Sequence, residues 1–232
     1  MRNETMIVYR TPQPIESKEM KIKYGRNIGF VLIAFLMSAC EVSHTLSGGA
    51  ETGKVVDMTT SKPIPDAIVV VEWTGHLGYS GTFCLHAATT KSDEHGKYIV
   101  PGWVKESKYS GATDRDVYVA AYKPGYTRSD KYEKDIIYLQ PFTGTREERL
   151  EYLEKVARTS SCHLAGESER SLFPLYEAVY DEAKALVRTQ EDQETLAWIR
   201  DLAASVYLAL PPDTPSSQSD KMRKEFLKDH LK

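Results

Sequence analysis

Pro63-Ile64-Pro65-Asp66-Ala67-Ile68-Val69-Val70-Val71-Glu72-Trp73 is the stretch on which the fold turns. The two prolines lack the N–H that a central ladder position needs, so they end whatever strand comes before them. The β-branched run that follows is dense enough to be a strand from its first residue. Side chains alternate along a strand, which puts Val69, Val71 and Trp73 on one face.

Working outward, the same grammar repeats from Glu51 to Gln140. Lys54-Val55-Val56 begins a strand before the prolines, and Thr82 to Thr90 reads as another after the run. Asp93-Glu94-His95-Gly96 is a turn with glycine supplying a positive φ. Lys97 to Val100, Asp116 to Tyr122 and Lys134 to Leu139 complete the set, with Lys123-Pro124-Gly125 as a turn between the last two. Val117, Val119 and Ala121 form a second apolar stripe. Short strands between turn signals predict an all-β antiparallel sandwich over 51–142.

At Thr145 the period changes to that of a helix. Leu150, Leu153 and Val156-Ala157 lie at helical spacing within Arg146–Arg158. Leu172, Leu175, Tyr176, Val179, Ala183 and Leu186 do so within Ser171–Arg188, and Leu196, Ile199, Leu202, Ala203 and Val206 within Glu191–Leu210. Such stripes must be buried. A helical region over 145–210, packed on the sandwich, follows. Pro211-Pro212 and a Ser/Pro-rich stretch predict a flexible tail over 211–232, with a short helix at its end.

Gly53-Lys54-Val55-Val56-Asp57, Pro63 to Val69, the turn Thr89-Thr90-Lys91-Ser92-Asp93-Glu94-His95-Gly96-Lys97-Tyr98 and the closing Lys123-Pro124-Gly125-Tyr126 together resemble a carboxypeptidase regulatory-like domain. The resemblance covers roughly 51–140 and implies a transthyretin-like sandwich of about seven strands without catalytic residues. In that family the domain is a passive module beside an enzyme, transporter or surface protein. An insert around 74–86 and a loop over 103–115 depart from its compact pattern.

Upstream, Lys21, Lys23 and Arg26 precede the apolar run Ile28–Met37, and Ser38, Ala39 and Cys40 follow it. The run is shorter than the ~20 residues that span a bilayer. A basic lead, a brief apolar core and a small-residue exit describe a signal peptide over 20–39. Met37-Ser38-Ala39-Cys40 resembles the lipobox of bacterial lipoproteins, which implies cleavage before Cys40 and lipidation of its thiol. By the same resemblance Glu41, not being aspartate, implies the outer membrane, periplasmic side. Residues 1–19 fit no signal peptide and read as an extension, with Met20 as the alternative start. Residues 40–50, small and polar, read as a tether.

Removing 1–39, which holds six Lys/Arg against three Glu, takes the net charge from −3 to −6. A mildly acidic chain has no electrostatic reason to seek nucleic acid. With Cys40 lipidated, Cys84 and Cys162 are an even pair in an oxidising compartment, which predicts a disulfide. Two separate thiols are the alternative. A zinc set of Cys84, His86, Cys162 and His163 is a weaker one, because adjacent Cys-His residues point apart and the paired spacing is missing. His44 and His76 read as loop residues, His95 as part of a turn and His230 as part of the tail.

Gly78-Tyr79-Ser80-Gly81 lacks the G-x-S-x-G frame of a hydrolase elbow. Trp73, Trp103, Tyr109 and Tyr118 pose the further question of a sugar-stacking platform, with Trp103 and Tyr109 as the candidate pair. Alternating aromatics on strands are more often core. The expected function is therefore a non-enzymatic lipoprotein without cofactor. It would be held to the membrane by its anchor and touch an envelope protein or glycan. A carbohydrate-binding module is the alternative, and a small hydrolase the third reading.

Overall fold

The computed structural model describes residues 44–76, 82–107, 114–158, 162, 170–210 and 214–230. Cys40 and the apolar run before it, Ser80, Tyr109 and His163 lie outside the described residues. In chain order the described strands are β1 (His44–Gly48), β2 (Glu51–Asp57), β3 (Ile68–His76), β4 (Thr82–Lys91), β5 (Lys97–Val100), β6 (Trp103–Ser107), β7 (Asp114–Tyr122), β8 (Tyr126–Glu133) and β9 (Ile136–Pro141). The helices are α1 (Arg146–Arg158), α2 (Phe173–Leu186), α3 (Gln190–Leu208) and α4 (Ser216–His230).

The β-branched run becomes β3, the middle strand of an antiparallel sheet ordered β4-β3-β7. Every residue from Ile68 to Gly75 is buried. The continuous apolar run has a physical reason: both faces of β3 are covered. Val69, Val71 and Trp73 face a core shared with Val55, Val100 and Leu139 of a second sheet, ordered β5-β2-β9-β8. Ile68 and Val70 face the other way, into a core with Leu153, Tyr176, Val179 and Ile199 of the helices. Each fully buried valine here contributes ~1.5–3 kcal/mol of transfer free energy. The stripe Val117, Val119 and Ala121 lies beside that of β3 in the same sheet, and both face the four-stranded sheet.

Local chemistry starts and stops these elements. Asp93 Oδ1 accepts from the N–H groups of His95 and Lys97 at 2.9 and 2.8 Å, and Gly96 takes φ +71° to close the turn into β5. The buried Ser92 hydroxyl accepts from Ala67 N–H at 2.9 Å and donates to Ile64 C=O at 2.7 Å, which joins the start of β3 to the end of β4. Thr189 and Asp192 form a capping box on α3.

Several expectations need correction. Residues 44–48 of the presumed tether are a strand, paired with β6 from His44↔Ser107 to Gly48↔Trp103. Leu46 is buried there, and its apolar side chain is why this short polar stretch is held in the body. The described strands number nine, in three sheets, instead of about seven. The sheets are also not wholly antiparallel, because β2 and β9 run parallel. Finally, the short helix expected at the end of the tail starts earlier, and the described helix runs over Ser216–His230. Phe226 anchors it, stacking on Tyr207 at 4.5 Å and meeting Phe173 edge-on at 5.7 Å. Among the described residues no helix is long and apolar enough to cross a membrane.

Candidate functional site

The helices are fastened to the three-stranded sheet through β4 and β7. Cys84 of β4 and Cys162 stand with their sulfurs 2.05 Å apart, across 78 positions of sequence. Two more ties follow along β4. Ser171 Oγ donates to Ala87 C=O at 2.6 Å, and Thr89 Oγ1 donates to Ser171 C=O at 2.8 Å. The two sulfurs stand as a disulfide pair, and His163 of the zinc alternative lies outside the described residues. Among the described residues no group of three His, Cys, Asp or Glu side chains is placed to hold a metal ion.

The second fastening is ionic. Arg149 of α1 is 4 % exposed and meets Glu182 of α2 through two bonds, Nε to Oε1 at 2.8 Å and Nη2 to Oε2 at 2.9 Å. Its Nη1 donates to Tyr126 C=O at 2.6 Å. Glu182 also accepts from the Tyr122 hydroxyl of β7 and, at 3.1 Å, from Gly125 N–H. Burial pushes the Glu182 carboxyl up, but the donors Arg149, Tyr122 and Gly125 outweigh it and hold the group below its ordinary value. Burial, and then the hydrogen bond to Glu182, push the Tyr122 hydroxyl far above its ordinary value. Every partner in this seam is committed to another, so the arrangement locks helices to sheet and leaves no proton free to move.

Sequence reasoning missed this pair. A signal was present. Arg149 lies four residues before Leu153, and Glu182 seven after Leu175, so opposite charges occupy core spacing on two helices.

Between the two sheets, His86 packs against Trp73 at 5.4 Å and Trp103 at 4.9 Å, and the two indoles meet edge-on at 6.0 Å. Trp103 is 9 % exposed, so it presents no ring face to a sugar, and the stacking pair predicted with Tyr109 loses its first member. A Cβ at Gly48 would lie 2.2 Å from Trp103 Nε1 and 2.8 Å from Trp73 Nε1, so only glycine lets β1 pass over these rings. Burial, and then the charge of Lys105, hold the His86 imidazole below its ordinary value. The neutral ring is therefore the one the fold accepts, and its contribution is present above the unfolded pKa near 6.5 and lost as pH falls through the folded value. Acidification from about pH 7.5 to about 5.5 is expected to lower the urea midpoint, with a slope of at most about 1.4 kcal/mol per pH unit from this group. His86→Phe should flatten that slope. An unchanged slope would remove His86 as its source.

At the far end of the same sheet, His76 is the last residue of β3 and not in a loop. Its Nε2 bonds Asp116 Oδ2 at 2.9 Å, and its Nδ1 bonds Thr82 Oγ1 at 3.2 Å. With the carboxylate as acceptor, Nε2 is the donor in the first of these bonds. The line ties the ends of three strands together.

Two hollows lie against the four-stranded sheet. One, of about 450 Å³, is lined by Thr59, Thr127, Gln140, Phe142 and Thr143 among others. The other, of about 670 Å³, is lined by Lys54, Lys91, Lys97, Ile99 and Asp135 among others.

No protein-family model matches the chain, and no curated protein matches it. Among solved structures, the crystal structure of a 9R-lipoxygenase from Cyanothece PCC8801 aligns with 66 % of this chain at 10 % identity and a TM-score of 0.19. The chain spans 29 % of that structure's length. A likeness at that score carries no argument about fold or chemistry.

Proposed function

We propose that this chain is a non-enzymatic lipoprotein, anchored through Cys40 to the periplasmic side of the outer membrane, whose folded body is an interaction or scaffolding module of the cell envelope. One observation carries the reading: a basic lead, a short apolar run and a lipobox-like Met37-Ser38-Ala39-Cys40 stand a few residues before the first described strand, at His44. The closeness of the Cys84 and Cys162 sulfurs supports an oxidising compartment. Two sheets enclosing one apolar core support the regulatory-like sandwich as the scaffold. The Arg149–Glu182 seam and the His76–Asp116 tie read as structural. Metabolic labelling with radioactive palmitate is expected to mark the wild-type chain in membranes and not Cys40→Ala. A label-free chain in the soluble fraction would overturn the reading.

A carbohydrate-binding module is the second reading. The hollow at Gln140 and Phe142 favours it, because hydroxyl and amide groups around one aromatic ring suit a neutral sugar. Glycan binding removed by Thr127→Val or Gln140→Leu would place it first.

A further inference from the structure

We infer that the outward face of the β1–β6 ribbon is the surface this protein lays against the lipid headgroups of the membrane that holds it. The inference rests on the reading of Cys40 as the lipidated residue, and it follows from the reach of the chain. Four residue steps lead from Cys40 to His44, which bounds the distance between their Cα atoms at about 14 Å even when fully extended. The ribbon cannot swing away from the body to take up slack. It is paired along its whole length, from His44↔Ser107 to Gly48↔Trp103. Leu46 and Trp103 are buried in the core between the sheets. Val104 lies opposite Ser47, three residues beyond His44, and so about 10 Å further along the strand. An anchor at Cys40 thus holds this face, and not an arbitrary one, near the bilayer.

The face has the composition such a position calls for. Leu46, Gly48 and Trp103 point inward, and alternation turns Thr45, Ser47, Val104 and Glu106 outward. At 75 % exposure Val104 is the most exposed large apolar side chain among the described residues. By the same alternation Lys105, opposite Leu46, falls on the inward side, and Glu106 is the charge the outward face carries among the described residues of the ribbon. The helices sit on the other side of the three-stranded sheet, with Phe226 of α4 in the helical core. Position 224 on α4 is therefore the remote reference.

The test uses the full lipidated protein, purified from membranes and reconstituted into vesicles of phosphatidylethanolamine and phosphatidylglycerol that carry a headgroup spin label. A bimane fluorophore is attached to Val104→Cys, to Ser47→Cys as a second probe of the same face, or to Lys224→Cys. Quenching several-fold stronger at 104 and 47 than at 224, and lost when Cys40→Ala protein is mixed with the same vesicles, is the expected result. Equal quenching at all three positions in protein that floats with the vesicles would overturn the inference while leaving the anchor intact. Protein that does not float, with or without Cys40, would overturn the anchor reading and this one with it. A bimane at 104 shielded in native membranes yet unquenched in pure lipid would assign the face to a partner protein or a second copy instead.

Discussion

Replacing Arg149 with methionine is expected to lower unfolding stability by about 3–5 kcal/mol, read as a fall in the urea midpoint. The substitution keeps the side chain's bulk but leaves the Glu182 carboxylate in a buried seam with only the Tyr122 hydroxyl and Gly125 N–H as donors. It also strips Tyr126 C=O of its partner and removes the guanidinium from the Phe142 and Tyr152 rings, which it now covers at 5.1 and 4.9 Å. The cost comes mainly from the abandoned charge and not from the lost attraction. Pairing Arg149→Met with Glu182→Leu should therefore recover part of the loss. Additive losses in the double variant would count against that account. The pH dependence supplies a second readout. The Glu182 carboxyl is depressed in the folded protein, so its contribution is present above the unfolded value near 4.3 and lost as pH falls through the folded value. Arg149→Met should remove that contribution and shallow the acid limb below about pH 4.5. This limb lies below the one assigned to His86.

Reduction of the Cys84–Cys162 link carries the second large effect. Opening a loop of 78 positions returns about 4 kcal/mol of chain entropy to the unfolded state in the loop-closure account. For a domain of this size that corresponds to a melting temperature lower by about 10 °C. The comparison is wild type with and without reductant, alongside Cys84→Ser. A reductant-sensitive wild type and a reductant-insensitive variant at the same low melting temperature is the expected pattern. Equal melting of all samples would remove the bridge from the folded protein. Loss should concentrate at the β4–α2 contact, where Ser171 and Thr89 remain as the other ties. Amide exchange at Ala87–Thr89 is where that is read.

Much of the layout was legible along the chain because it rests on local chemistry. The prolines before Ala67, the glycine at 96, the alternation in β7 and the stripes of α1, α2 and α3 each act over a few residues, and each element lies where its pattern predicts. The misses share a cause. Residues 44–48 read as polar linker, yet one leucine and a glycine that clears two indoles suffice to fix a strand once β6 is beside it. Residues 216–220 read as linker before a short terminal helix, yet the helix already begins at Ser216, and Phe226 finds Tyr207 and Phe173. Trp103 read as part of a loop over 103–115, yet it opens β6 and is buried, because both its strand and its exposure depend on β1 crossing it.

The candidate site divides in the same way. The lipobox-like run around Cys40 is a message carried by consecutive residues, and the even cysteine count is a matter of composition. The pairing of Arg149 with Glu182, the seating of His86 between two indoles and the bond from His76 to Asp116 join residues 33, 13 to 17 and 40 positions apart respectively. The residues by themselves determined six of the nine described strands, the first three helices and where an anchor would stand. Only the tertiary structure decided which charges meet, which aromatics are covered and which face lies next to that anchor, because burial and partnership depend on distances between segments that no local period encodes.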